Sequence, residues 1–287
     1  AAWAWFIGIW VVLVYAPVAH WVWGGGWIAE LGALDFAGGA VVHMNAGAAA
    51  LAAVLVIGKR KGWPGEAMPP HSLPLTLLGA GILMFGWFGF NAGSALASDG
   101  IAAQAFINTF LAASAAMLGW LVVERLKSGH PTTLGAASGV VAGLVAITPC
   151  AGFVEAWSSM VIGAIAGGLC FLALSLKFRL GYDDSLDVVG VHLVGGLVGS
   201  LLLGLFATDT VNELVVDEGL FIGGDATLLG YQAIASFATL AFSFVVSFVI
   251  IKVLDMVMGV RVTDDDEDAG LDTTQHAETA YSLAGRS

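Results

Sequence analysis

The chain has 287 residues, of which 58% are hydrophobic and 11% charged, with a formal net charge of −12. Soluble domains carry roughly 25% charged residues, so this composition excludes an ordinary soluble globule. Ten lysines and arginines, scattered along the chain, also exclude the basic surface that nucleic-acid binding needs, and much of the acid gathers in one stretch, TDDDEDAGLD at 263–272.

Apolar runs of about 20 residues, the length that crosses a bilayer core of about 30 Å, recur from the first residue onward. We read eight spans, at 1–19, 37–58, 73–97, 101–125, 133–149, 154–177, 188–207 and 229–255. The first, AAWAWFIGIWVVLVYA, has neither Met nor a basic leader region and reads as a membrane helix cut partway along, not as a signal peptide. The second holds His43 in AGGAVVHMNAG, and the seventh holds His192 in VVGVHLVGG. The fifth, TTLGAASGVVAGLVAIT, is short and glycine-rich and is the least secure. The 39 glycines suit close helix packing in lipid, where small residues let backbones approach. Cys150 and Cys170 have no metal-ligand spacing and cannot define a disulfide scaffold, so they read as packing residues.

The cations test this count. Lys59, Arg60 and Lys61 lie just after the second span, Arg125 and Lys127 at or after the end of the fourth, Lys177 and Arg179 at or after the end of the sixth, and Lys252, Arg261 and Arg286 at or after the end of the eighth. None falls in the alternate loops, so all lie on one side, which the positive-inside rule makes the cytoplasm. The expected organisation is an all-α polytopic membrane protein with a transmembrane domain at 1–255 and a cytoplasmic tail at 256–287. The outward loops carry acids and no bases.

Spans two and seven both fit V-H-x-x-[AG]-G, with Asp35 eight residues before His43 and Asp187 five before His192. They are five spans apart and so run in opposite directions, as in an inverted-topology repeat whose halves hold a transport site between them. The third to seventh spans make one complete five-helix unit; the other unit is incomplete. At about 1.5 Å rise per residue, histidines starting from opposite interfaces can meet near the middle of the bilayer. A single buried imidazole can be a structural hydrogen-bonding group. Two at repeat-related positions point to function, as intramembrane ionisable groups generally do. No further ligands stand near them in the sequence, which argues against a metal site. His20, His71 and His130 read as interfacial or solvated. Taken alone, Trp23 would be an interfacial belt residue and Phe90 a core residue.

Several segments together carry a resemblance. DFAGGAVVHMNAGAAALAAVLVIGKR (35–60), VWGGGW (22–27), GWFGFNAGS (86–94), ITPCAGFV (147–154), DVVGVHLVGG (187–196) and GLDTTQHAETAY (270–281) resemble, in order, segments of the ammonium transporter (Amt/Mep/Rh) family, and more its Amt branch. The resemblance implies eight of about eleven membrane helices, with the chain corresponding to the fourth to the eleventh and shortened at its start. It implies that His43 and His192 are the twin histidines lining a hydrophobic pore, that Phe90 is one of two gating phenylalanines, and that Trp23 and Ser94 recruit ammonium at the outer face beside a mainly structural Asp35. The second gating phenylalanine would lie upstream.

The implied function is ammonium/ammonia transport across the plasma membrane: the cation is recruited, sheds a proton, and crosses as ammonia. The alternatives are a neutral gas channel of the Rh kind, for ammonia or carbon dioxide, and an ammonium sensor; an enzyme is disfavoured because no nucleophile–base pair or acid–metal cluster lies in the spans. The resemblance implies no cofactor, a homotrimer, and docking of a PII-type signal protein at the cytoplasmic tail. That tail has His276-Ala277-Glu278 where the family often has His-Gly-Glu.

Overall fold

The computed structural model describes residues 1–279. The end of the tail motif at Ala280 and Tyr281, and the cation Arg286, lie outside the described residues. Among the described residues seven helical spans are long and apolar enough to cross a membrane: α1 (Ala2–Leu31), α2 (Gly39–Ile57), α3 (Leu73–Gly93), α4 (Gly100–Ser128), α6 (Ala156–Leu180), α7 (Val189–Phe206) and α8 (Thr227–Met258). Between α4 and α6 lies the shorter α5 (Thr133–Ile147). The eight elements match the eight expected segments, with ends displaced by a few residues and α1 extended past a break at 24–26.

The weak fifth span is short for a physical reason. Fifteen residues rise only about 22 Å, less than a bilayer core of about 30 Å. A buried turn at 148–154 continues the path. Irregular backbone survives at such depth only where its polar groups find partners. Here Asn108 Nδ2 of α4 donates to the carbonyls of Ala151 at 2.9 Å and Val154 at 2.7 Å.

Helix starts follow their caps. Ser72 Oγ accepts from Leu75 N ahead of Pro74 in α3, Asp99 from Ala102 N in α4, and Thr132 Oγ1 from Gly135 N in α5. Small residues let α4, α5 and α6 pack closely. A Cβ at Gly163 would lie 2.3 Å from Ala112 O, and one at Gly167 2.1 Å from Ala116 O, so the α4 backbone leaves no room for a side chain at either position.

The helix ends beside the cationic loops are tied by charge. Arg60, just past α2, donates Nε to Asp183 Oδ2 at 2.9 Å and Nη2 to Oδ1 at 2.8 Å, and its backbone N also reaches Oδ2 at 2.8 Å. Burial works to raise the Asp183 carboxyl, but the Arg60 bonds and charge outweigh it and hold the group below its usual range. The acidic run, which as a bare charge block would be disordered, is ordered by pairing. It forms α9 (Asp264–Ala269), followed by α10 (Leu271–His276). Glu267 accepts Lys61 N at 2.8 Å and Arg261 Nη2 at 2.7 Å, and Asp268 pairs with Lys61 Nζ.

Two outcomes follow from this packing. Gly167→Val should destabilise the bundle by about 1–3 kcal/mol through overpacking, whereas Gly79→Val, with nothing within 4 Å of its Cβ, should not; thermal unfolding in detergent compares them. Asp183→Asn should lower stability at neutral pH by about 1–2 kcal/mol, the solvent-facing Arg60 limiting the effect. The depressed carboxyl contributes stability that is full above its unfolded value of about 3.9 and is lost as pH falls through the lower folded value. Wild type and variant should therefore converge in acid, as a pH series of melting curves would report.

Candidate functional site

The site is built where α2 and α7 cross. Each helix opens with a π-helical turn, Gly39–Met44 and Val189–Leu193, and each turn carries one histidine. Such i→i+5 turns are rare and recur at functional sites. The turns are held by acids. Asp35 accepts four backbone N–H groups, from Gly38 at 2.9 Å, Gly39 at 2.6 Å, Ala40 at 2.9 Å and Val41 at 3.1 Å. These are the orphan donors of a helix start, so a buried carboxylate here is satisfied.

On α7 the matching acid is Asp184, not Asp187. Asp184 stands eight residues before His192, as Asp35 does before His43, is buried, and accepts from Val189 N at 2.7 Å. Asp187 pairs instead with Lys177. The expectation from spacing went to the nearer acid, because the sequence does not reveal which one folds back onto the turn.

The motif glycines explain the crossing. A Cβ at Gly47 would lie 2.5 Å from Leu193 N, and one at Gly196 would lie 2.8 Å from Gly39 O and 3.1 Å from Met44 N. In each case the glycine four residues after one histidine seats against the residue that follows the other histidine. This reciprocity is the inverted repeat in atomic form, and it brings His43 Nδ1 to 3.2 Å from His192 Nδ1.

A bond between two Nδ1 atoms needs one to donate and the other to accept. The two rings therefore hold opposite tautomers, and their Nε2 atoms differ in the same way, one a donor and the other an acceptor. His43 is buried and His192 half-buried, and His43 Nε2 is buried without a protein partner.

Aromatic rings from α3 line the His43 side. Trp87 stacks on His43 with centroids 5.2 Å apart and planes 19° apart, and Phe90 follows at 6.1 Å and 29°. Trp87 and Phe90 share one face of α3, three residues apart. Sequence reasoning singled out Phe90 and passed over Trp87, although both lie in GWFGFNAGS. The indole is fixed from behind: Trp87 Nε1 donates to Thr148 Oγ1 at 3.0 Å, and Asn91, on the same helix, donates Nδ2 to Thr109 Oγ1 at 3.0 Å. All three partners are buried.

The remaining expected residues lie toward the end of the bundle opposite the cationic loops. Trp23 is exposed and donates Nε1 to the backbone carbonyl of Asp35 at 2.8 Å. Ser94 follows Phe90 by one turn and donates Oγ to the Phe90 carbonyl at 2.8 Å. Among the described residues no hydrogen bond or ring contact joins Trp23 to Phe90 or Ser94. The structure thus brings His43, His192 and Phe90 into one cluster, ties Trp23 to Asp35, and leaves Ser94 beside Phe90. Among the described residues no three His, Cys, Asp or Glu side chains are grouped to hold a metal ion.

Thr148→Val should leave the buried Trp87 N–H without its partner, at a cost of about 1–3 kcal/mol. The expected reading is a lower melting temperature together with altered tryptophan fluorescence.

Residues 1–281 match the Ammonium Transporter Family. An ammonium transporter of Mycobacterium tuberculosis is 50% identical over 296 residues, covering 99% of this chain and 62% of the relative. One from Bacillus subtilis is 54% identical over 277 residues, covering 96% of this chain and 68% of the relative. Among solved structures, Candida albicans Mep2 superposes with a TM-score of 0.84 at 40% identity, covering 91% of this chain and 60% of that one. A sensor Amt protein superposes with a TM-score of 0.84 at 32% identity, covering 92% and 67%. The chain therefore spans about three-fifths of the length of several of these relatives. A family match over nearly its whole length, with close relatives and the same helical fold, places this multi-pass membrane chain in the ammonium transporter family.

Proposed function

We propose that this chain belongs to a protein that moves ammonium across the cell membrane, with His43 and His192 lining the conducting path. The observation that carries the reading is the 3.2 Å contact between their Nδ1 atoms, made by oppositely running helices among the rings of Trp87 and Phe90. A bare ammonium ion in such surroundings would be very costly, tens of kcal/mol in a Born estimate, whereas ammonia loses only hydrogen bonds. A path that accepts the molecule after it sheds a proton is therefore passable for ammonia and closed to potassium, which has no proton to lose.

In this reading Trp23 offers its ring to the arriving cation, a contact worth about 0.5–2 kcal/mol. Ser94 replaces one lost water contact. Phe90 covers the entry to His43. Asp35 keeps its structural role, since its oxygens are occupied by four backbone donors. The proton leaves its site of release along the histidine pair: the donor–acceptor bond between the rings can reverse, so a proton accepted at one Nε2 is matched by one released at the other. Transport is then electrogenic.

Residues 1–255 are the transmembrane domain and 256–287 the tail, which faces the cytoplasm with the cationic loops. The protein assembles as a homotrimer, and the α9–α10 tail presents the surface for a PII-type signal protein.

The test is electrical. The native protein in liposomes on a solid-supported membrane should give currents on ammonium addition and none on potassium. His43→Ala and His192→Ala should each cut the ammonium current or its selectivity at least about tenfold, the effect of about 1.4 kcal/mol. Undiminished and fully selective currents in both variants would reject the histidine pathway.

A further inference from the structure

The inverted repeat relates the two mouths of the bundle as well as the two histidines, and the mouths carry different side chains at the matching place. On the outer side, the backbone carbonyl of Asp35 accepts Trp23 Nε1 at 2.8 Å, a donor from the span before α2. On the inner side, the backbone carbonyl of Asp184 accepts Lys177 Nζ at 3.1 Å, a donor from the span before α7. Asp35 and Asp184 are the repeat-matched acids, so Lys177 stands where the repeat places Trp23. An aromatic side chain suited to attract an ammonium ion is answered, on the opposite face, by a side chain that ends in one.

The surroundings of that nitrogen form an ammonium site. Lys177 Nζ meets the Asp184 carbonyl, Asp187 Oδ1 at 2.5 Å, and the face of Phe178 with 5.4 Å to the ring centroid. A carbonyl, a carboxylate and an aromatic face are the groups that hold a primary ammonium ion. Asp187 takes φ +57° to present its carboxylate, a left-handed conformation uncommon outside glycine. The Lys177 side chain is only 15% exposed. Lys177 and Asp187 line a cavity of about 930 Å³, with Arg60, Thr76 and Ser138 on its other walls. Asp187 precedes His192 by five residues, a rise of about 7 Å along a helix.

We propose that Lys177 is a specificity-determining residue of the inner mouth, whose tethered ammonium fills a cation site on that face and keeps free ammonium from docking there. The proposal rests on the reading that the protein conducts ammonium. It does not make the protein a one-way valve, since no net flux can run at equilibrium in an uncoupled conductor. It makes the two faces unequal in half-saturating concentration, with the inner face the weaker, and the maximal rates compensate.

Lys177→Ala removes the tether and leaves the two oxygens and the ring in place. In the native protein carrying this change, reconstituted in oriented liposomes, the half-saturating ammonium concentration from the inner side should fall about fivefold, the effect of a unit charge about 4 Å away in water. The outer value should not move. Lys177→Arg, which keeps a charge on the tether, should retain the wild-type asymmetry.

Thermal unfolding in detergent reads binding without transport. Ammonium chloride, compared with sodium chloride, should raise the Tm of Lys177→Ala by more than that of wild type or of Lys177→Met, whose side chain occupies the space without charge. Recovery of Lys177→Ala from membranes only when ammonium or methylammonium is supplied would be the same result in another form. The proposal is overturned if neither ion restores recovery of a poorly folding Lys177→Ala. It is also overturned if transport falls equally from both sides with an ammonium-dependent rise in Tm no greater than that of wild type, which is the behaviour of a purely structural tie. Absence of ammonium flux in the wild-type protein would instead remove the functional reading, and the Tm comparison would still decide whether the site exists.

Discussion

The close crossing of α2 and α7 is the constraint on which the site depends. Two helices can bring their histidine rings within hydrogen-bonding distance only if their backbones nearly touch, and Gly47 and Gly196 are where they do. Any side chain there would separate the axes and break the Nδ1–Nδ1 bond. In lipid no hydrophobic force drives such an approach, so small residues and satisfied polar groups must supply it. The same logic holds at Gly163 and Gly167, which seat α6 against α4.

Closeness alone would not orient the rings. Each histidine sits on a π-helical turn, and such a turn leaves its opening N–H groups without helical partners. Asp35 takes up four such donors and Asp184 takes up Val189 N. The carboxylates thus set backbone geometry inside an apolar bundle, where unsatisfied groups would be costly. Thr148 performs the parallel task for Trp87, fixing the plane that stacks on His43.

The two halves share this framework but not the side chains at their mouths. The framework follows from the repeat, but the side chains differ: Trp23 bonds the Asp35 carbonyl on one face, and Lys177 bonds the Asp184 carbonyl and pairs with Asp187 on the other. At the end bearing the cationic loops the pairing extends to Arg60 with Asp183 and to the tail, where Glu267 and Asp268 are anchored by Lys61 and Arg261. An acid run that would repel itself in isolation is tied down at Glu267 and Asp268 by Lys61, just past α2, and by Arg261 on its own flank.

Much of this was legible in the chain itself. Bilayer-length apolar runs marked out eight helical segments in order, because hydrophobic length is a local property. The repeated V-H-x-x-[AG]-G relates His43 to His192, whereas only the fold shows that its final glycine lies at the crossing. Other features needed the fold. Trp87 and Phe90 are equally aromatic and three residues apart in α3, and only packing shows that Trp87 makes the closer stack on His43. Asp184 and Asp187 are both acids before His192, and only the chain's turn there shows which one holds the helix start and which one binds Lys177. Local sequence determines what a segment can be; which side chains meet depends on groups brought together from distant spans, and that distance in the chain is why tertiary structure alone decides it.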